Sequence, residues 1–116
     1  MKDASHLPSL GEFELLVLLA ILQAGDEAYG TTILDELHQR AGRTISRGAL
    51  YVTLDRLESK GYVSSKTGEG DRSRGGRPRR YYALRPVGVA LLRRSLDALG
   101  RMQQGLSFDL EQPRRV

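Results

Sequence analysis

A chain of 116 residues with 40% hydrophobic and 28% charged side chains holds one modest core and excludes two full domains. Its longest apolar run, the eight residues Leu15 to Leu22, is far short of a bilayer span, and the absence of cysteine excludes disulfides, thiolate metal sites and a cysteine nucleophile. Net charge is +4 and unevenly spread: residues 1–42 carry two basic and seven acidic side chains, residues 43–116 sixteen basic and seven acidic, an asymmetry that points to nucleic acid or an anionic surface rather than to solubility alone.

In chain order, residues 1–9 read as an N-terminal arm. It has no basic start running into an apolar stretch, so no secretion signal is read and a cytoplasmic location is expected, with no membrane partner. Ser9 and Glu12 have the spacing of a capping box, and a first helix is predicted from about Leu10 to Ala24. Every residue from Leu15 to Leu22 is apolar, so one buried stripe does not account for it. Either the rest of the small domain wraps this helix, or a second subunit covers part of it.

Gly25-Asp26-Glu27 interrupts the pattern. A second helix follows Tyr29-Gly30-Thr31-Thr32, with Ile33, Leu34 and Leu37 on one face, and stops near Ala41-Gly42. Ser46 is the predicted cap of a third helix that ends at Gly61, where a left-handed residue is required. This helix buries Leu50, Leu54 and Leu57, whereas its other face carries Gly48, Val52, Asp55 and Ser59, neither richly charged nor properly apolar. Two short helices joined by a tight glycine-containing turn outline a helix-turn-helix.

Beyond Gly61 the period changes. Residues 62–67 and 79–84 are rich in β-formers and flank the polar, glycine-rich stretch GEGDRSRGGRP, which predicts a hairpin with a long tip. Along it Tyr82 and Leu84 are expected to face the core and Tyr81 to face outward. Pro86 suits the first turn of a last helix. There Val89, Leu92, Leu96, Leu99, Gln103 and Leu106 occupy the a and d positions of a short heptad seam that needs another element for support. The expected organisation is therefore mainly α with a small β-hairpin: a winged helix-turn-helix over 10–85, a C-terminal dimerisation helix over 86–106 and a flexible tail over 107–116.

A helix-turn-helix followed by a hairpin is the arrangement in which one helix enters the major groove of double-stranded DNA and the wing reaches phosphate or the minor groove. A helix face that passes between two sugar-phosphate walls must be slim, which explains the side chains opposite Leu50, Leu54 and Leu57. Ser46, Arg47, Gly48, Tyr51, Val52 and Arg56 are the candidate contacts of this helix: the arginines for phosphate or guanine, Val52 for a thymine methyl. Asp55 is expected to pair on the helix surface, for instance with Arg56 or with the neighbours of Ser59, before it reads a base. Lys66, Arg72, Arg74, Arg77, Arg79 and Arg80 stand against two acids between Tyr62 and Leu84, a density suited to phosphate neutralisation. Thr31 and Thr32 either touch the DNA backbone or cap the second helix. The candidate dimer contacts are Phe13, Leu16 and Leu19 on the first helix with Leu92, Leu96, Leu99, Gln103 and Leu106 on the last.

Other chemistry finds no support. The glycine-rich stretch lacks the lysine–serine pair and following helix of a nucleotide loop. His6 and His38 belong to no ligand set, so no metal or other cofactor is expected, and no catalytic constellation suggests an enzyme. Two rivals remain from other classes: a protein-interaction module whose basic wing meets an acidic partner, and an enzyme accessory or small-molecule sensor without direct operator reading.

The runs GALYVTLDRLESKGYV (48–63) and GGRPRRYYALRPVG (75–88), with Tyr29-Gly30 before the second helix, resemble the PadR family of winged-helix transcriptional regulators, a similarity that spans about residues 10–105. The single C-terminal helix resembles its smaller subfamily. The resemblance implies a homodimeric, usually repressing DNA-binding protein on a roughly palindromic operator, with the dimer built by the first and last helices. It puts Tyr51 and its neighbours at DNA, and Arg79, Arg80, Tyr81 and Tyr82 on the second wing strand. Val52 stands where the family often has proline, and Thr31 where it often has an aromatic. The resemblance also leaves room for a small aromatic effector at the dimer interface, although the chain has no tryptophan and two phenylalanines, Phe13 and Phe108.

Overall fold

The structure, a computed structural model, describes residues 10–70 and 78–108. The elements follow in the order α1 (Glu12–Ala24), α2 (Gly30–Ala41), α3 (Arg47–Ser59), β1 (Val63–Gly70), β2 (Pro78–Leu84) and α4 (Pro86–Gln103), with a 3-10 turn at Gly25–Glu27. This is the mainly helical fold with one small hairpin that the sequence predicts.

The expected cap of α1 is corrected. The helix begins at Glu12, two residues later than predicted, and Glu14 rather than Glu12 turns back, accepting the Gly11 N–H at 3.1 Å; Ser9 lies outside the described residues. Within the chain Val17, Leu18, Ala20 and Ile21 are buried, and Phe13, Leu15, Leu16 and Leu19 pack half-buried against the core. Leu22, at 52% exposure, is the residue of the long apolar run that the chain leaves open. The wrapping of α1 therefore comes largely from its own chain, because it lies at the centre with α2, α3, β2 and α4 around it.

Ser46 caps α3 as predicted, its hydroxyl accepting the Ala49 N–H at 3.1 Å. At the other end Gly61 adopts φ +81°, its N–H bonds to Glu58 O and the Tyr62 N–H bonds to Leu57 O, each at 3.0 Å. That paired closure satisfies the last carbonyls of the helix and needs a left-handed residue between them. It turns the chain directly from α3 into the hairpin.

β1 and β2 pair antiparallel, with Val63 opposite Leu84, Ser65 opposite Tyr82 and Thr67 opposite Arg80. The hairpin is anchored at its root. The Tyr82 N–H donates to Ala28 O at 2.8 Å, the Arg85 N–H donates to Tyr62 O at 2.9 Å, and Val63 and Tyr82 enter the core. α4 starts at Pro86, in the first turn as expected. It packs so closely on the hairpin root that a methyl on Gly88 would lie 3.0 Å from the Tyr62 carbonyl carbon and 3.2 Å from its Cα.

Two expectations for the heptad seam are corrected. α4 ends at Gln103 and Gly105 has φ +81°, so Leu106 is not on the helix. Leu92, read as a dimer contact, is 4% exposed inside the single chain, beside Leu91. The first half of α4 is thus core of the same domain, and its second half exposes Leu96, Leu99 and Met102.

Candidate nucleic-acid interface

α3 divides as its sequence suggests. Leu50, Leu54 and Leu57 are fully buried and Thr53 nearly so, whereas Arg47, Gly48, Val52, Asp55, Arg56 and Ser59 are exposed. Val52 keeps 58% of its surface in water, a cost the fold does not need to carry there. Asp55 does not pair as expected: among the described residues no hydrogen bond or ion pair reaches it, because successive helix residues point about 100° apart and do not face each other. The exposed face therefore offers a methyl-bearing side chain, an uncommitted carboxylate and two flanking arginines.

The start of α2 lies against this helix. Gly30 is buried, and a Cβ there would overlap the Tyr51 hydroxyl and come within 3.0 Å of Arg47 Nη1. The missing side chain is what lets Tyr51 and Arg47 settle over the first turn of α2, where unpaired N–H groups favour negative charge. Arg47 Nη2 also donates to Thr31 Oγ1 at 3.2 Å. Thr32 acts as a cap: its Oγ1 accepts the Tyr29 N–H at 3.0 Å and donates to the Glu27 carbonyl. Thr31, by contrast, is exposed beside Arg47.

Strand alternation splits the wing root into two faces. On one, Arg79 stacks over the Tyr29 ring, with its guanidinium carbon 4.3 Å from the ring centre, and Tyr81 meets the same ring edge-on at 5.6 Å. Tyr81 is thus half-buried on Tyr29 rather than turned to solvent. On the other face Arg80 bonds to Glu58 of α3 and to Ser65 of β1, and Tyr82 is buried beneath α3. Burial pushes the Tyr82 phenol up; Arg80 opposes that shift, and Tyr51, Asp55 and Glu58 add to it. Lys66 is exposed on β1. Arg72, Arg74 and Arg77, the tip cations, lie outside the described residues.

Sequence reasoning missed two parts of this site, the close approach at Gly30 and the carboxylate of Glu58. Gly30 stands in the sequence only as part of the lead into the second helix, and Glu58 is not singled out there. Strand alternation together with the pairing of Ser65 with Tyr82 puts Ser65 and Arg80 on one face, and the tertiary fold brings Glu58 over that face. Among the described residues no acid and histidine cluster fit for a metal exists, and no helix is long and apolar enough to cross a membrane.

Two short helices, the second with an exposed slim face, followed by a hairpin anchored under that helix, define a winged helix-turn-helix protein. Residues 18–94 match the transcriptional regulator PadR-like family, and the chain belongs to that family of regulators, which are not enzymes. The chain is 41% identical over 81 residues to transcriptional regulator Rv3488 of Mycobacterium tuberculosis, covering 67% of this chain and 71% of that one. Among solved structures it is similar to a PadR-like transcription factor from Bacteroides fragilis, with TM-score 0.64, 26% identity, and coverage of 79% of this chain and 84% of that one. A PadR family regulator from Eggerthella lenta matches with TM-score 0.56, 30% identity, and coverage of 82% and 88%.

Proposed function

We propose that this regulator is a homodimeric repressor that reads a palindromic operator, with α3 in the major groove and the wing on the flanking backbone. The observation that carries the reading is the exposed face of α3, where Val52 and Asp55 stand uncovered between Arg47 and Arg56. A helix surface with those properties suits base edges and phosphates together. Arg47 and Tyr51 at the start of α2 suit a phosphate beside that helix's first turn. Lys66 and the tip cations Arg72, Arg74 and Arg77 add sequence-independent attraction. The exposed apolar side chains Leu96, Leu99 and Met102 on α4, together with Leu22 on α1, supply a surface for the second subunit. Two heads so joined would contact half-sites about 34 Å apart, one duplex turn.

Selection of bound sequences from a random duplex library at moderate salt tests this directly. An inverted repeat with half-sites one turn apart is the expected product. Arg47→Ala and Arg56→Ala are then expected to weaken binding to the selected duplex, by about 1 to 3 kcal/mol where a bidentate base contact is lost. Binding that fades evenly across sequences as salt rises, with no enriched repeat, would remove the operator-reading role and favour an acidic protein partner for the wing.

A further inference from the structure

The two wing-root arginines face opposite sides of the hairpin, and one of them is tied to α3. Ser65 pairs with Tyr82 and Thr67 with Arg80, so Ser65, Tyr82 and Arg80 share the strand face turned to α3. From the last turns of α3, Glu58 uses both carboxylate oxygens: Oε2 accepts from the Ser65 hydroxyl at 2.6 Å and Oε1 accepts from Arg80 Nη2 at 3.1 Å. Arg80 Nε closes the ring by donating to Ser65 Oγ at 2.9 Å. The guanidinium carbon also lies 6.0 Å from the centre of the buried Tyr82 ring.

We propose that Glu58 is a positioning residue that sets the angle between α3 and the wing through Ser65 and Arg80, and that Arg80 is a strut within the protein rather than a phosphate contact. The inference rests on the reading above, in which α3 and the wing engage one duplex together. Its physical need is clear from the connection between them. The chain passes from α3 to β1 through Lys60, Gly61 and Tyr62, and a two-stranded hairpin is weakly stable by itself. Side-chain bracing from the helix beside it fixes the direction in which the paired strands leave α3. A carboxylate on a helix that approaches phosphates repels them, so Glu58 carries a cost that bracing the wing offsets. With Arg80 52% and Glu58 31% exposed, the pair contributes little to folding stability, and its effect lies in orientation.

The test uses the whole protein and the duplex selected by the wild type. Glu58→Ala, Ser65→Ala and Arg80→Ala are each expected to weaken binding about tenfold, and the Glu58→Ala/Arg80→Ala double variant about tenfold rather than about a hundredfold, because the three groups act as one unit. The slope of log affinity against log salt stays at its wild-type value in all of them, since no phosphate contact is lost. Glu58→Gln, which keeps an acceptor for Arg80, recovers most of the affinity. The strut is overturned if Arg80→Ala lowers the salt slope by about 0.9 for each subunit, or if Glu58→Ala tightens binding, as simple removal of a repelling charge requires. A wild type that enriches no duplex sequence removes the operator reading itself, and the strut with it, before any variant is compared.

Discussion

Tyr82 illustrates how far a single residue is legible. Alternation along β2 predicts that it points inward, and it does, at 3% exposure. Its hydroxyl, however, finds no hydrogen-bond partner among the described residues, and no sequence pattern reveals that. A buried phenol without a partner carries a desolvation penalty of about 1 to 3 kcal/mol. Tyr82→Phe is therefore expected to leave stability unchanged or raise it by about 1 kcal/mol in urea denaturation. The pH dependence has a defined sign. The folded-state pKa of Tyr82 is raised above its value in the unfolded chain, near 10. Its contribution to stability is complete below about pH 10 and is lost as pH rises through the higher folded value. Stability of Tyr82→Phe should accordingly fall less steeply above about pH 10 than that of the wild type; identical slopes would contradict the burial of this phenol.

At the scale of elements, the helices were readable because their ends carry chemistry. Ser46 caps α3 and Gly61 closes it, each at its predicted position. α1 was misplaced by two residues at its start because two glutamates, Glu12 and Glu14, both stand where a returning acid would serve. The last heptad position failed for a local reason: Gly105 turns the chain before Leu106. The docking of α4 on the hairpin was not readable, since Gly88 looks like any helical glycine until Tyr62 is seen against it. Gly88→Ala forces a methyl into backbone atoms that cannot rotate away. It is expected to cost about 1 to 3 kcal/mol, more than the gain of about 1 kcal/mol in helix propensity. Gly48→Ala, where a Cβ meets open space, is expected to be neutral or stabilising by up to about 1 kcal/mol in the same assay. Equal effects of the two would show that α4 does not sit as described.

Across the whole molecule the division of labour follows burial and charge. The acidic first third lends carboxylates to the basic remainder: Glu12 pairs with Arg43, and Glu14 lies 3.4 Å from Lys60. Both cations flank α3, and these partly exposed pairs contribute little to stability; the buried Val17, Leu18, Ala20 and Ile21 hold α1 in place, and the outer face of α3 stays uncovered. The surface proposed for the second subunit is the exposed half of α4. Leu96 and Leu99 are 39% and 48% exposed, so replacing both with aspartate removes little from the core of one chain while putting like charges into a symmetric contact. The double variant Leu96→Asp/Leu99→Asp is expected to sediment as a folded monomer and the wild type as a dimer. A wild-type monomer, or a double variant that still dimerises, would move the second subunit elsewhere.

The sequence by itself determined what short-range physics governs. Caps and glycines set the helix ends, hydrophobic period separated the buried leucines of α3 from its slim face, and alternation turned Tyr82 inward. Cationic density marked the wing, and motif order carried the family. Tertiary structure alone decided which charged groups are committed within the protein. Arg79 lies on Tyr29 and Arg80 on Glu58, pairings between residues far apart in the chain, and Leu92 is spent inside the fold rather than on its surface. Such choices depend on distances that form only when the elements pack, so a basic residue's sign can be read from the sequence while its partner cannot.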